Sequence, residues 1–177
     1  MRLTGNTILI TGGGSGIHTL NIDIDDREGI RGFARKVTAA FPAMNVSINN
    51  AGIQRPEDLR AGRQDLQVVD AMVTTSLLGP IRVTVALLPL LQRQPHSTVI
   101  NVTSALAFVP GVGVPTYGAT KAAMHSYALC LREQLRRSST EVIELIPPYV
   151  QTDLGPNHAT DPRACRSTSS SRNRLDS

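Results

Sequence analysis

Short runs of apolar residues alternate along the chain with longer segments in which apolar residues recur every three or four positions. The short runs are Thr7–Thr11, Val46–Asn49, Ser97–Val102 and Glu141–Ile146. Continuous apolar runs of this length are typical of parallel strands that are buried on both faces. The pattern therefore predicts four buried strands.

Three longer segments show the helical period. They are Arg27–Phe41, Gln64–Leu91 and Thr116–Arg137. The second passes through Gly79-Pro80, where we expect a bend because proline cannot donate a helical hydrogen bond. Strands that alternate with helices indicate an α/β fold.

Composition and charge narrow the class of protein. The net charge is +4, and the residues from Gly155 onward contribute half of it. The remaining surplus is too weak to indicate nucleic-acid binding. The two cysteines form no disulfide framework, and no signal peptide precedes the first strand. We therefore expect a cytoplasmic protein.

One stretch could be mistaken for a membrane span, the apolar segment Met72–Leu91. Arg82 lies near its middle, and a central arginine costs about 2.5–3.5 kcal/mol on insertion scales. We interpret the segment as a core helix and expect no membrane partner.

The candidate chemistry lies between Ser104 and Lys121. Ser104 follows the end of a predicted strand, and Tyr117 and Lys121 share one face at the start of a helix. A lysine ammonium beside a phenol favours the phenolate, so we expect Lys121 to lower the pKa of Tyr117. A serine hydroxyl opposite them could hold a carbonyl oxygen. Taken alone, Tyr-x-x-x-Lys is more often an unremarkable surface pair.

Two turns precede this stretch. Gly12-Gly-Gly-Ser-Gly16 follows the first strand, as phosphate-binding turns do, although glycine runs also make ordinary loops. Asn49-Asn-Ala-Gly52 follows the second strand, and alone it would be an ordinary Asn-Gly turn. Together with Ser104, Tyr117/Lys121 and Pro147-Pro-Tyr-Val-Gln-Thr152, this ordered set resembles the short-chain dehydrogenase/reductase family.

The resemblance covers about residues 3 to 160 and implies a Rossmann-like, three-layer parallel sheet with helices on both faces. It also implies hydride transfer between NAD or NADP and a small-molecule carbonyl or alcohol. Tyr117 would be the general acid/base, Lys121 would lower its pKa and hold the nicotinamide ribose, and Ser104 would orient the substrate oxygen. The residues expected to contact cofactor, besides Tyr117 and Lys121, are Gly12, Ser15, Gly16, Ile17, Asp23, Asn50, Ala51, Gly52, Val150 and Thr152. No metal site is expected. Family members commonly pair the helix that carries Tyr117 across a dimer, so a homodimer is possible.

The chain departs from the family after the glycine turn. His18 stands where the family has its third glycine, and Ile22-Asp23-Ile24-Asp25 already resembles a strand end that the family reaches much later. A helix, a strand and a further helix are missing in one block. The seven or eight residues that remain must return as a bare loop, pair antiparallel, or leave the sheet. The sheet is therefore reduced in strand number, and we expect weak cofactor binding.

Two further departures follow. Ser76 stands where the family has an asparagine that helps to organise a proton relay. The segment Cys165–Ser177 is rich in serine and arginine, and such a composition cannot offset its ordering entropy. We expect a Rossmann-like catalytic domain over residues 1–164 and a disordered tail over 165–177, with an aberrant, truncated end. The alternative is a non-catalytic remnant or interaction partner with impaired cofactor binding.

Overall fold

The computed structural model describes residues 5–12, 20–61 and 65–148. Within them the four predicted strands and three predicted helical segments are confirmed, with ends that differ by one or two residues. The elements are β1 (Ile8–Ile10), α1 (Arg27–Ala40), β2 (Val46–Asn49), α2 (Leu66–Val73), α3 (Gly79–Leu91), β3 (Ser97–Val102), α4 (Pro115–Leu135) and β4 (Thr140–Leu145).

The four strands form one parallel sheet in the order β1-β2-β3-β4. Each crossover therefore steps across the sheet in the same direction. Because crossovers between parallel strands are right-handed, the connecting helices must lie on one face. The core agrees with this argument, since Leu9, Val99 and Val142 pack together with buried residues of α1, α3 and α4. The predicted Rossmann-like α/β fold with a reduced parallel sheet is confirmed.

The opposite face of the sheet carries a row of isoleucines. Ile10, Ile48, Ile100 and Ile143 are directly paired across the four strands. Ile10 is 51% exposed, and the other three are partly exposed. All the α-helices in the described ranges belong to the layer on the first face. The expected three-layer arrangement with helices on both faces is therefore not met within these ranges, because the strand order does not reverse. The predicted tail and the boundary at residue 164 lie outside the described residues.

The segment that leads into α1 leaves the sheet. Residues 20–26 contain no strand, so Ile22–Asp25 is not the strand end that its sequence resembles. Ile24 packs instead against the start of α3, where a Cβ added to Gly79 would lie 2.9 Å from Ile24 Cδ1. The Thr75 hydroxyl donates to the Asp25 carboxylate at 3.2 Å. Of the three predicted paths, the described residues follow the one that leaves the sheet.

The predicted long helix is continuous but contains a widened turn. Residues Thr74–Leu78 are π-helical, and the Gly79 N–H donates to the Thr74 carbonyl. Pro80 has no N–H to give to the Ser76 carbonyl, which accounts for the break in the α-helical pattern at the expected place. The helix Leu66–Leu91 is long and apolar enough to cross a membrane. However, Val83, Leu87 and Leu91 pack in the core, as in the core helix of a globular domain.

Candidate active site

The candidate residues lie at one edge of the sheet. Gly12 follows β1, Asn50 follows β2 and Ser104 follows β3, while Tyr117 lies in the first turn of α4. Because the strands are parallel, their carboxyl ends meet at the same edge. In open α/β sheets this edge is where ligands bind.

Thr11 joins the glycine turn to the Asn-Asn-Ala-Gly turn. Its hydroxyl accepts hydrogen bonds from the backbone N–H groups of Asn50 and Ala51, each at 3.1 Å. The Asn50 side-chain amide donates to the Thr11 carbonyl at 3.2 Å. Gly12 has φ +74°, and an added Cβ would lie 2.9 Å from Ala51 Cα. Glycine is therefore required here for both the backbone conformation and the close approach.

The Ser104 side chain starts a short turn. Its Oγ accepts the Leu106 N–H at 3.2 Å and caps the 3₁₀ turn Ala105–Ala107. The hydroxyl proton of Ser104 is not used in that bond. Ser104 can therefore still donate to a carbonyl oxygen.

Tyr117 and Lys121 are both buried on α4, 5% and 4% exposed. The Lys121 Nζ atom lies 5.5 Å from the centre of the Tyr117 ring and donates to the Val102 carbonyl at 2.8 Å. Burial raises the pKa of Tyr117 to about 12 and lowers the pKa of Lys121 to about 8. The expectation that Lys121 lowers the tyrosine pKa is therefore not met, because loss of solvent outweighs the nearby ammonium.

Gly52 lies between Lys121 and Ser76. A Cβ added to Gly52 would be 3.8 Å from Lys121 Nζ and 3.5 Å from Ser76 Oγ. The Ser76 hydroxyl accepts the Ile53 N–H at 3.1 Å and donates to the Ile53 carbonyl at 3.2 Å. Ser76 therefore holds the turn after β2 in place, and its one hydroxyl proton is committed to that turn.

Asp23 has a local role in the structure. Its carboxylate accepts the Asp25 N–H at 2.9 Å, and its carbonyl accepts the Asp26 N–H at 3.2 Å. These bonds shape the turn that leads into α1. The remaining predicted cofactor contacts, Ser15, Gly16, Ile17, Val150 and Thr152, lie outside the described residues.

Two residues that the sequence did not single out position the site. Thr11 is one. The other is Glu57, whose carboxylate accepts the Thr116 N–H at 2.9 Å and the Thr116 hydroxyl at 2.7 Å. This carboxylate caps the first turn of α4, directly beside Tyr117, where a negative charge is favourable. Glu57 and Thr116 are 59 positions apart, so no local sequence signal pairs them.

A cavity of about 690 Å³ lies away from these residues. Asn45, Ser97, Thr98 and Glu141 line it at the amino ends of β2, β3 and β4. None of the candidate catalytic residues contributes to its lining. The candidate chemistry therefore lies at the opposite end of the sheet from this cavity.

Known proteins similar to this chain are dehydrogenases and oxidoreductases. The uncharacterized oxidoreductase DltE of Bacillus subtilis (strain 168) is 35% identical over 189 positions, which cover 87% of this chain and 75% of that protein. The NADP-dependent 3-hydroxy acid dehydrogenase of Schizosaccharomyces pombe is 30% identical and covers 76% of this chain and 52% of that protein.

Solved structures give the same result. A short-chain dehydrogenase from Streptomyces avermitilis matches with a TM-score of 0.67 and 26% identity, over 75% of this chain and 48% of that one. The closed form of serine dehydrogenase complexed with NADP+ matches with a TM-score of 0.67 and 28% identity, over 73% of this chain and 52% of that one. The chain thus spans about half the length of these solved relatives.

The comparison with DltE also bears on the missing block. Its 189 aligned positions exceed the 177 residues of this chain, so the relative has residues at positions where this chain has none. This agrees with the predicted internal deletion. The short chain dehydrogenase family matches residues 9–163, nearly the whole chain. The chain belongs to the short-chain dehydrogenase family.

Proposed function

We propose that this chain is a nicotinamide-dependent oxidoreductase that reduces a small-molecule carbonyl to an alcohol. The observation that carries the proposal is that Ser104, Tyr117 and Lys121 lie at the same edge of the sheet as Gly12 and the turn Asn49–Gly52. Relatives that carry NADP in their names or titles support the choice of cofactor class.

Some of the proposed cofactor contacts lie within the described residues. At Gly12 the backbone of the first turn lies directly against Ala51, with no space for a side chain on that side. Gly12, Asn50, Ala51 and Gly52 would hold the cofactor, and Lys121 would hold its nicotinamide ribose. When bound, the nicotinamide supplies the hydride.

The protonation state of the site favours reduction. With a pKa of about 12, Tyr117 keeps its proton at neutral pH. It can therefore donate this proton to a carbonyl oxygen, and the phenolate that would act as the base in the reverse reaction is scarcely populated at neutral pH. The Ser104 hydroxyl would hold the same oxygen while the proton moves.

We propose that the protein is cytoplasmic.

We also propose that it forms a homodimer through the outer face of α4. Ala119, Ala122 and Leu129 are exposed on that helix, and Val85 is 63% exposed on α3. Small and apolar side chains on two neighbouring helices allow close helix packing between two copies.

The test is turnover of a panel of aldehydes and ketones with NADH and with NADPH. Tyr117→Phe should lower turnover by about 10²–10⁴-fold, because general acid catalysis supplies that factor. Tyr127→Phe, on the same helix, is the control and should retain activity. Equal activity of Tyr117→Phe and the original chain would refute the proposed role of Tyr117. Cofactor binding without any turnover would favour the non-catalytic alternative.

A further inference from the structure

The Glu144 carboxylate lies almost buried between three elements near Ser104. Its side chain is 8% exposed. One oxygen accepts the Thr103 hydroxyl at 2.7 Å, and the other lies 2.8 Å from His125 Nδ1. A carboxylate can only accept here, so the imidazole carries its proton on Nδ1. Hydrogen bonds to a charged acceptor are the stronger kind.

Thr103 connects this carboxylate to the serine. It directly precedes Ser104 and is 2% exposed. Its N–H donates to the Leu145 carbonyl at 2.9 Å, just beyond the last ladder pair of β3 and β4, Val102 with Leu145. The backbone before Ser104 is therefore fixed by one main-chain bond and one side-chain bond to β4.

His125 supports the other end of the same segment. The Phe108 ring meets the imidazole edge-on, with ring centres 4.7 Å apart and an interplanar angle of 66°. Phe108 ends the 3₁₀ turn that Ser104 starts. His125 also lies on α4 one helical turn after Lys121 and two turns after Tyr117. The imidazole therefore touches the serine segment from the helix that carries the tyrosine and lysine.

We propose that Glu144 and His125 are positioning residues that hold residues 103–108, called here the serine segment, in register with Tyr117 and Lys121. Glu144 fixes the segment at Thr103, and His125 fixes it at Phe108. The catalytic consequence rests on the proposed function, whereas the structural clamp does not.

Site-specific amide hydrogen exchange on the full chain tests the clamp. Thr103→Val removes the hydroxyl at nearly constant shape, and Glu144→Ala removes both contacts. Each substitution should speed amide exchange at Leu106, Ala107, Phe108 and Val109 by about tenfold or more. This is the factor expected when one hydrogen bond is lost. Thr103→Ser restores the hydroxyl, and Glu133→Ala removes an exposed carboxylate near the far end of α4. Both controls should exchange like the original chain.

If Glu144 and Thr103 stabilised the whole domain rather than the serine segment, the exchange pattern would be different. If exchange in α1 rose as much as in the serine segment, or if the segment did not respond, the clamp would be overturned. The nitrogen spectrum of the His125 imidazole gives a second readout. In the neutral imidazole the Nδ1–H tautomer should stay the major one in Thr103→Val and become the minor one in Glu144→Ala, and its remaining the major one in Glu144→Ala would contradict the assigned contact.

The catalytic consequence is measured separately. In the carbonyl-reduction assay Thr103→Val should lower kcat by about tenfold with an unchanged Kd for the cofactor, and Thr103→Ser should restore it. An unchanged kcat would refute the positioning role. The predicted exchange pattern in a chain without any reductase activity would refute the proposed function and leave the clamp in place.

Discussion

The ammonium of Lys121 is anchored to the Val102 carbonyl, 2.8 Å away. Val102 is the last residue of β3, two positions before Ser104. This bond therefore ties the helix that carries Tyr117 to the strand that delivers the serine. The amine is buried there, and the loss of solvent disfavours its charged form and lowers the pKa of Lys121 to about 8.

The titration of Lys121 can be observed directly, because the sequence contains only two lysines, Lys36 and Lys121. After reductive methylation with a carbon-13 label, NMR should show, besides the resonance of the α-amino group, one lysine resonance that titrates with a pKa of about 8. Lys121→Met identifies that resonance by its absence. A Lys121 signal that does not titrate below pH 10 would contradict the burial of the amine.

The same pKa shift predicts a pH dependence of stability. Between pH 8 and 10.5 the unfolded chain keeps the lysine proton that the folded chain has lost. The free energy of unfolding should therefore rise with pH across this window, by up to about 3 kcal/mol. Lys121→Met should abolish the rise. Denaturant unfolding at several pH values measures it, and an identical slope in both proteins would refute the assignment.

The Glu57 carboxylate should stabilise the start of α4. Glu57→Ala removes two hydrogen bonds to Thr116 and a negative charge at a helix N-terminus, so it should cost about 1–2 kcal/mol. Glu133→Ala, in the exposed pair with Arg136 near the other end of α4, should change stability by less than about 1 kcal/mol. Urea unfolding compares them. Equal effects would show that Glu57 does not cap α4.

The core lies on one face of the sheet. Truncations of similar size on the two faces should therefore lower the free energy of unfolding by different amounts. Leu87, on α3, is 1% exposed and packs in the core, so Leu87→Ala should cost about 2–5 kcal/mol. Ile10, on the opposite face, is 51% exposed, and Ile10→Ala should cost about 1 kcal/mol or less. A large loss on Ile10→Ala would mean that its face is covered. Chemical unfolding of both variants gives the answer.

Elements with a strong local pattern were predictable from the sequence. The apolar runs located the strands, and Gly79-Pro80 located the irregular turn, because both depend on local chemistry. The long-range contacts were not predictable, since Glu57 and Thr116 are 59 positions apart. The pKa of Tyr117 was predicted in the wrong direction, because spacing reveals its charged neighbour but not its loss of solvent.

The placement of the helices depends on strand order. The amino-acid sequence predicts which strands exist but not the order in which they pair in the sheet. Once β1-β2-β3-β4 is known, right-handed crossovers put α1, α3 and α4 on one face. In a doubly wound sheet the order reverses and both faces are covered. That reversal does not occur within the described strands.

We expect weak cofactor binding because of the missing block. Seven residues separate Gly12 from Leu20, too few for a return crossover that contains a helix. In the family a helix begins after the glycine turn. Its N-terminus would contribute to the free energy of cofactor binding about 0.3–2 kcal/mol through its dipole and about 1.5–3 kcal/mol for each charge-assisted hydrogen bond. Losing these terms should weaken affinity at least about 10²-fold.

A fluorescence titration of NADH and of NADPH with the full chain tests the central claim most directly, namely that this edge of the sheet still binds a nicotinamide cofactor. Gly12→Val is the matched control, since its side chain would collide with Ala51. We predict saturable binding with a Kd above about 100 μM, which is about 10²-fold weaker than a Kd of about 1 μM, and no binding by Gly12→Val. A titration without saturation at millimolar cofactor, or equal binding by Gly12→Val, would contradict the site, and a Kd in the low micromolar range would contradict the predicted weakness.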